Sequence, residues 1–301
     1  MTKDSMQNCF PAATEAKGET TMQKQRVIKD YDELKYNDDF MFTKVMEDRG
    51  LCRKVLECLL QRPVGELIEV QTQKEFRYYS DGKPIRLDVY NRDSDGIIYD
   101  TEMQNLNNKS LESHQFPRRS RFYQAAIDMD FMEKGNSYKK LPDSNVVFIC
   151  TFDPFGKGLS RYTFTECCEE DDAIHLSDGT SKIFYNCCYE GEDIPENLKK
   201  FYHYVETGEA GDDLTRSIEQ AVDKGRKNEA WRSQYMKEVV LIQDAIDEGI
   251  EIGIEQGIGQ GIEQSIEKML RRGRTVEEIV DFCGYPYEQV KKVADSMTKF
   301  E

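Results

Sequence analysis

The sequence predicts an α/β sandwich: a mixed β-sheet flanked by helices, followed by an all-helical C-terminal extension. Three observations predict it. Helical and strand periodicities follow one another in the order helix, three strands, helix, strand. The stretch "NVVFICTFDPF" is a nearly continuous apolar run, the pattern of a strand buried on both faces. Beyond Met236 the composition shifts to a glycine–isoleucine repeat and then to short capped helices.

Taken in order, "MTKDSMQNCFPAATEAKGET" carries no apolar core of a secretory signal and reads as a disordered leader, residues 1–30. In the next segment Phe42, Val45 and Met46, then Val55, Leu56, Leu59 and Leu60, recur at helical spacing. This predicts two helices broken near Gly50, the second stopped by Pro63. "IEVQTQKEFRY" and "IRLDVYNR" read as strands, "DSDG" as a turn and "IIYDTEMQ" as the returning strand. Residues 109–135 read as a long helix, "RYTFTECC" and "KIFYNCCY" as a strand pair, and residues 196–237 as further helices.

In the repeat, Gly249, Gly253, Gly257 and Gly261 are four apart, and Ile250, Ile254, Ile258, Ile262 and Ile266 share that period. Glycine costs about 1 kcal/mol per helix position relative to alanine, so this helix is weak alone. Small residues at this spacing let a second helix approach closely; a solvated stalk is the other reading. Thr275 and Glu278 fit a capping box, and the last segment resembles a helix-turn-helix unit in which Lys291 and Lys292 could reach phosphates.

Composition narrows the function. A net charge of -16 argues against a passive nucleic-acid binder, so activity on nucleic acid must rest on a local basic surface or on metal ions. No apolar run approaches the roughly 20 residues that span a bilayer. Nine cysteines without a signal peptide suit reduced thiols in a cytoplasm. Neither a GxxxxGK[ST] loop nor a GxGxxG finger is present, which removes support for nucleotide binding. Cys167-Cys168 and Cys187-Cys188 are poor chelates, because neighbours on a strand point to opposite faces; buried or half-buried thiols are expected. His114 and His203 have no partners at motif spacing, and Trp231, the single tryptophan, is expected to pack.

The chemistry concentrates in "RLDVYNRDSDGIIYDTEMQ", residues 86–104. Asp100, Glu102 and Gln104 share one strand face, and Asp88 lies on the partner strand across the Asp95-Gly96 turn. If Asp88 faces the same way, two carboxylates meet, and they repel unless a cation bridges them or one is protonated. Oxygen ligands of this kind suit Mg²⁺, and such a metal activates water for phosphodiester hydrolysis. A one-residue slip would separate the pair, so the spacing leaves open a second reading, edge-strand acids facing water.

The D-(X)n-E-X-K/Q pattern on two adjacent strands resembles the PD-(D/E)XK nuclease signature. The chain is similar to the Rpn family of recombination-promoting nucleases, also described as transposases. The resemblance rests on "NDDFMFTKVMED", "RLDVYNRDSDGIIYDTEMQ", "RRSRFYQAAID", "KGNSYKKLPDSNVVFICTFDPFGKG" and the Gly–Ile repeat before "RRGRTVEEIVDFCGY". It implies a restriction-endonuclease-like core and Mg²⁺-dependent cleavage of DNA, with Mn²⁺ as a substitute. Asp88 and Glu102 would hold the metal, Asp39 would add a ligand through water, and Gln104 would stand where the superfamily has lysine. Glutamine only hydrogen-bonds; the missing charge would come from Arg118, Arg119 or Arg121, beside Tyr123 and Gln124, facing DNA.

The expectation is therefore a nuclease-like domain over residues 31–235, a repeat helix over 236–272 and a helix-turn-helix-like unit over 273–301. The expected function is a cytoplasmic DNA endonuclease linked to recombination or transposition, paired into a homodimer through the C-terminal helix. Two other readings stand beside it: an inactive nuclease fold serving DNA binding or assembly, and a defence or toxin-like nuclease.

Overall fold

The computed structural model describes residues 28–76, 85–105, 115–132 and 137–297. The expected leader up to residue 27, Arg77 and Tyr78 of the first strand, both ends of the helix expected over 109–135, and His114 lie outside the described residues.

Two helices come first, α1 (Asp39–Val45) and α2 (Arg49–Leu60). The break falls at Met46–Asp48 rather than at Gly50, because the Asp48 side chain accepts the Leu51 N–H and caps α2. That helix ends at Gln61 in the left-handed conformation, φ 53°, before Pro63 is reached. A six-stranded sheet follows in the order β1-β2-β3-β4-β6-β5. β1 (Leu67–Phe76), β2 (Ile85–Asp93) and β3 (Ile98–Gln104) form an antiparallel meander. α3 (Gln115–Phe131) then crosses to β4 (Ser144–Cys150), which runs parallel to β3. β5 (Arg161–Phe164) pairs antiparallel with β6 (Thr180–Asn186), which is parallel to β4. The mixed sheet expected from the sequence is present.

Helices cover both faces. On one face α1, α2, α4 (Glu196–Thr207) and α5 (Asp213–Arg226) enclose a core containing Met41, Phe42, Leu56, Tyr99, Ile149 and Phe201. On the other face α3 encloses Leu87, Ile127, Val146, Phe148 and Phe184, with the Phe148 and Phe184 rings stacked at 4.7 Å. β3 is buried at every residue, so Glu102 belongs to an interior strand and not to an edge facing water. The cysteine expectation holds for Cys187, which is buried, but Cys167 and Cys188 are exposed: Cys167 lies beyond the end of β5 and Cys188 beyond the end of β6.

α6 (Glu229–Arg271) is one helix of 43 residues, continuous across residues 235 and 236. Ile250, Ile254 and Ile258 are exposed, and a Cβ added at Gly249, Gly253, Gly257 or Gly261 would meet nothing within 4 Å. Among the described residues, only those at the C-terminal end of the isoleucine stripe are covered by other elements. There Ile266 is buried, and Ile262 half-buried, beneath α7 (Val276–Cys283) and α8 (Tyr287–Met297). The Thr275–Glu278 capping box forms as expected, and Gly284 ends α7 at φ 69°, where glycine carries no Cβ penalty. Ile266, Ile279, Val290 and Val293 make a third, small core.

Leu56 is fully buried in the first core. Leu56→Ala should destabilise the sheet domain by about 2–5 kcal/mol in urea unfolding. Amide-exchange protection in α7 and α8 should stay unchanged, since their core is separate.

Candidate active site

The site begins as a fault in the sheet. The β2–β3 ladder pairs Arg92 with Ile98 and continues to Val89 with Thr101, where it stops. One further step of that register sets Asp88 opposite Glu102. Side chains take over from the backbone at this level. The Asp88 N–H donates to Glu102 Oε1 at 2.8 Å, and the Met103 N–H donates to Asp88 Oδ2 at 3.2 Å. β2 changes face here too: Leu87 packs in the second core and Val89 in the first, although a regular strand would put both on one face. Across from Asp88 on β1, Gln73 has φ 52°, a left-handed conformation uncommon outside glycine. β1 and β2 are thus distorted at one level beside a regular β3, and both carboxylates line the opening.

They open on a cleft of about 600 Å³. Asp39 enters it from the start of α1, Arg86 and Asp88 from β2, Glu102 and Gln104 from β3, Arg119 and Tyr123 from α3. Arg118 and Arg121 do not line it. Each residue turns a helix by about 100°, so with Arg119 aimed at the sheet Arg118 and Arg121 are exposed on the outside of α3. Gln124 is buried against the sheet instead, donating to Ser144 Oγ at 2.5 Å. Trp231, expected to pack, is half-buried against the first core.

Ionisable groups are concentrated in the cleft, and Glu102 is buried. Burial, then the Asp39 charge, pushes the Asp88 carboxyl up to about 7; the Met103 N–H, Arg119 and Arg86 oppose that shift. Burial raises Glu102 and Asp100 well above the carboxylate range, with Asp88 adding to both and Arg119 opposing. Arg119 Nη2 is 3.6 Å from Glu102 Oε2, and its guanidinium lies 5.5 Å from the Tyr123 and Phe148 ring centres. Asp100 is 0% exposed, and neither of its carboxylate oxygens has a hydrogen-bond partner among the described residues.

These residues fit a hard divalent cation. The donors at the opening are carboxylate oxygens, and the buried Asp100 oxygens beside them have no hydrogen-bond partner among the described residues. No group of three or more His, Cys, Asp or Glu that could hold a metal ion occurs among the described residues, so an ion here would take one or two carboxylates and keep several waters, as Mg²⁺ does.

Three contributors escaped sequence reasoning. Asp100 was legible only as sharing the Glu102 face; its depth comes from β4 on the far side. Arg86, two residues before Asp88, had a signal in its alternation along β2. Glu238 on α6 had none, because the helix reaches the cleft by tertiary packing: Tyr235, Glu238, Val239 and Ile242 form one wall.

A mixed sheet whose two central carboxylates meet at a broken ladder defines a nuclease-like α/β domain. Residues 36–184 match the model of the PD-(D/E)XK nuclease family transposase, and that segment, from before α1 into β6, belongs to the family. No curated protein and no solved structure matches the chain.

The raised acids carry a sign. They ionise near pH 4 in the unfolded chain but resist ionisation when folded, so metal-free stability falls as pH rises from about 4 to about 7. Thermal melts should show Tm falling through that window, and Asp88→Asn should flatten the fall. Added Mg²⁺ should raise Tm more at pH 8 than at pH 5, because binding needs ionised carboxylates. An equal rise at both pH values would remove Asp88 and Glu102 as its ligands.

Proposed function

We propose that this protein is a divalent-metal-dependent DNA endonuclease working in recombination or transposition. The observation that carries the reading is the meeting of Asp88 and Glu102 at the broken ladder, inside a PD-(D/E)XK nuclease family transposase domain. Asp88 and Glu102 would hold Mg²⁺, or Mn²⁺ in its place, and Asp39 would join through water. When bound, the metal would supply positive charge at the scissile phosphate and acidify a water.

The remaining steps fall to the chain. Arg119, seated over Tyr123 and Phe148, supplies a fixed positive charge beside the carboxylates, the role a lysine at position 104 would otherwise fill. Gln104 orients water or a phosphate oxygen as a neutral donor and acceptor. Arg118 and Arg121, exposed on α3, suit the DNA backbone outside the cleft, and Tyr123 braces Arg119. Residues 31–235 would act as the nuclease unit, 236–272 as the repeat helix and 273–301 as the helix-turn-helix-like unit. Pairing of two copies through the exposed Gly–Ile face of α6 would let both strands be cut; a strictly monomeric mass in light scattering would remove that part. No helix among the described residues is long and apolar enough to cross a membrane, which agrees with the cytoplasmic setting we propose.

A second reading, a catalytically weak module that binds or assembles on DNA, is favoured by one observation: a neutral glutamine at the lysine position. The two separate in a nicking assay on supercoiled plasmid. Wild type with Mg²⁺ should nick, EDTA should stop it, and Asp88→Ala and Glu102→Ala should each lower the rate by about 10² or more. Equal nicking by all three proteins would place the activity elsewhere. Arg119→Ala should cost about as much as either carboxylate, and Arg119→Lys should restore part of the rate.

A further inference from the structure

A second cleft, of about 650 Å³, lies on the other side of α1. Lys44, Lys54 and Lys224 line it from α1, α2 and α5, with Asn228 and Trp231 at the start of α6. Its two acids are already engaged. Glu47 pairs with Lys44 at 2.8 Å and accepts from Thr72, and Asp48 caps α2. Among the described residues no ion pair engages Lys54 or Lys224. In a chain of net charge -16, three lysines against Glu47 and Asp48 leave this concavity with one net positive charge, with Lys54 and Lys224 outside any ion pair among the described residues.

The aromatic floor is built in. Trp231 is half-buried and seated directly on Gly225, where an added Cβ would lie 2.6 Å from ring atom Cζ3. Gly225 is further fixed by its carbonyl, which accepts the Tyr31 hydroxyl at 2.6 Å. This cleft also adjoins the first. Phe40 lines the first and Trp231 the second, and Lys44 Nζ stands between them, 6.0 Å from the Phe40 ring centre and 5.9 Å from that of Trp231.

We infer that this second cleft is a subsite for the phosphate backbone of the duplex flanking the cut. Lys54 and Lys224 would neutralise phosphates, and Trp231 would lie against the sugar–phosphate edge. The inference rests on the endonuclease reading for its ligand and gives that reading the basic surface its acidity requires. Lysines are point charges suited to gripping a backbone without base readout, so the subsite would hold DNA irrespective of sequence.

Because Trp231 is the only tryptophan, its emission reports the subsite directly. The full chain is titrated with a short duplex in EDTA, so that nothing is cut. Emission should change saturably. Lys54→Ala with Lys224→Ala should weaken binding about tenfold and shrink the slope of log K against log[salt] by about 1.8, roughly 0.9 for each phosphate no longer neutralised; the arginine pair should restore both. Unchanged affinity and slope in the double variant would overturn the subsite, as would a silent Trp231 at saturation. Plasmid nicking alongside separates the two readings. Nicking by wild type with lysine-independent binding retires the subsite alone, whereas lysine-dependent binding without nicking retires the nuclease alone.

Discussion

The candidate site depends on one exchange of hydrogen bonds. Where β2 and β3 should continue their ladder, the Asp88 amide turns to a carboxylate oxygen of Glu102 and the Met103 amide turns to one of Asp88. Buried backbone donors need partners, and here Asp88 and Glu102 provide them. The acids thereby hold the strands apart and are themselves held in place. Removal of either side chain thus also leaves a backbone N–H to find another partner.

The rest of the fold keeps that fault from closing or flooding. β4 lies parallel against the far edge of β3 and buries it along its full length. α3 brings Arg119 over two aromatic rings to partly offset the charge, and α1 presents Asp39 at the rim. The sheet domain tolerates charged groups on an interior strand because helix packing on both faces is extensive; three acids with raised pKa values are a standing cost that a bound cation would relieve.

Much of this is legible in the sequence. Alternation along "IIYDTEMQ" sets Asp100, Glu102 and Gln104 on one face, and the continuous apolar run marks β4 as interior. The chemistry of Thr275, Glu278 and Gly284 locates α7 to the residue, because caps are local. What escapes the sequence is non-local or competitive. Gly50 is a plausible helix breaker, but the Asp48 cap prevails three residues before Leu51. The three arginines are equivalent in sequence until the rotation of α3 chooses Arg119. The walls contributed by α6, and with them Glu238 and the neighbourhood of Trp231, depend on a helix some 130 residues downstream of the motif folding back, which no periodicity reveals.

That long helix has a consequence for distance. From Glu238 in the cleft wall to Ile266 beneath the C-terminal hairpin, α6 runs unbroken through 28 residues, about 42 Å at 1.5 Å per residue. It is a spacer of fixed length, and the hairpin is held well away from its own chain's cleft. Measured on a duplex, that interval is roughly twelve base pairs at 3.4 Å each. Whatever the hairpin grips, it sets a stand-off of about one helical turn from the cleft.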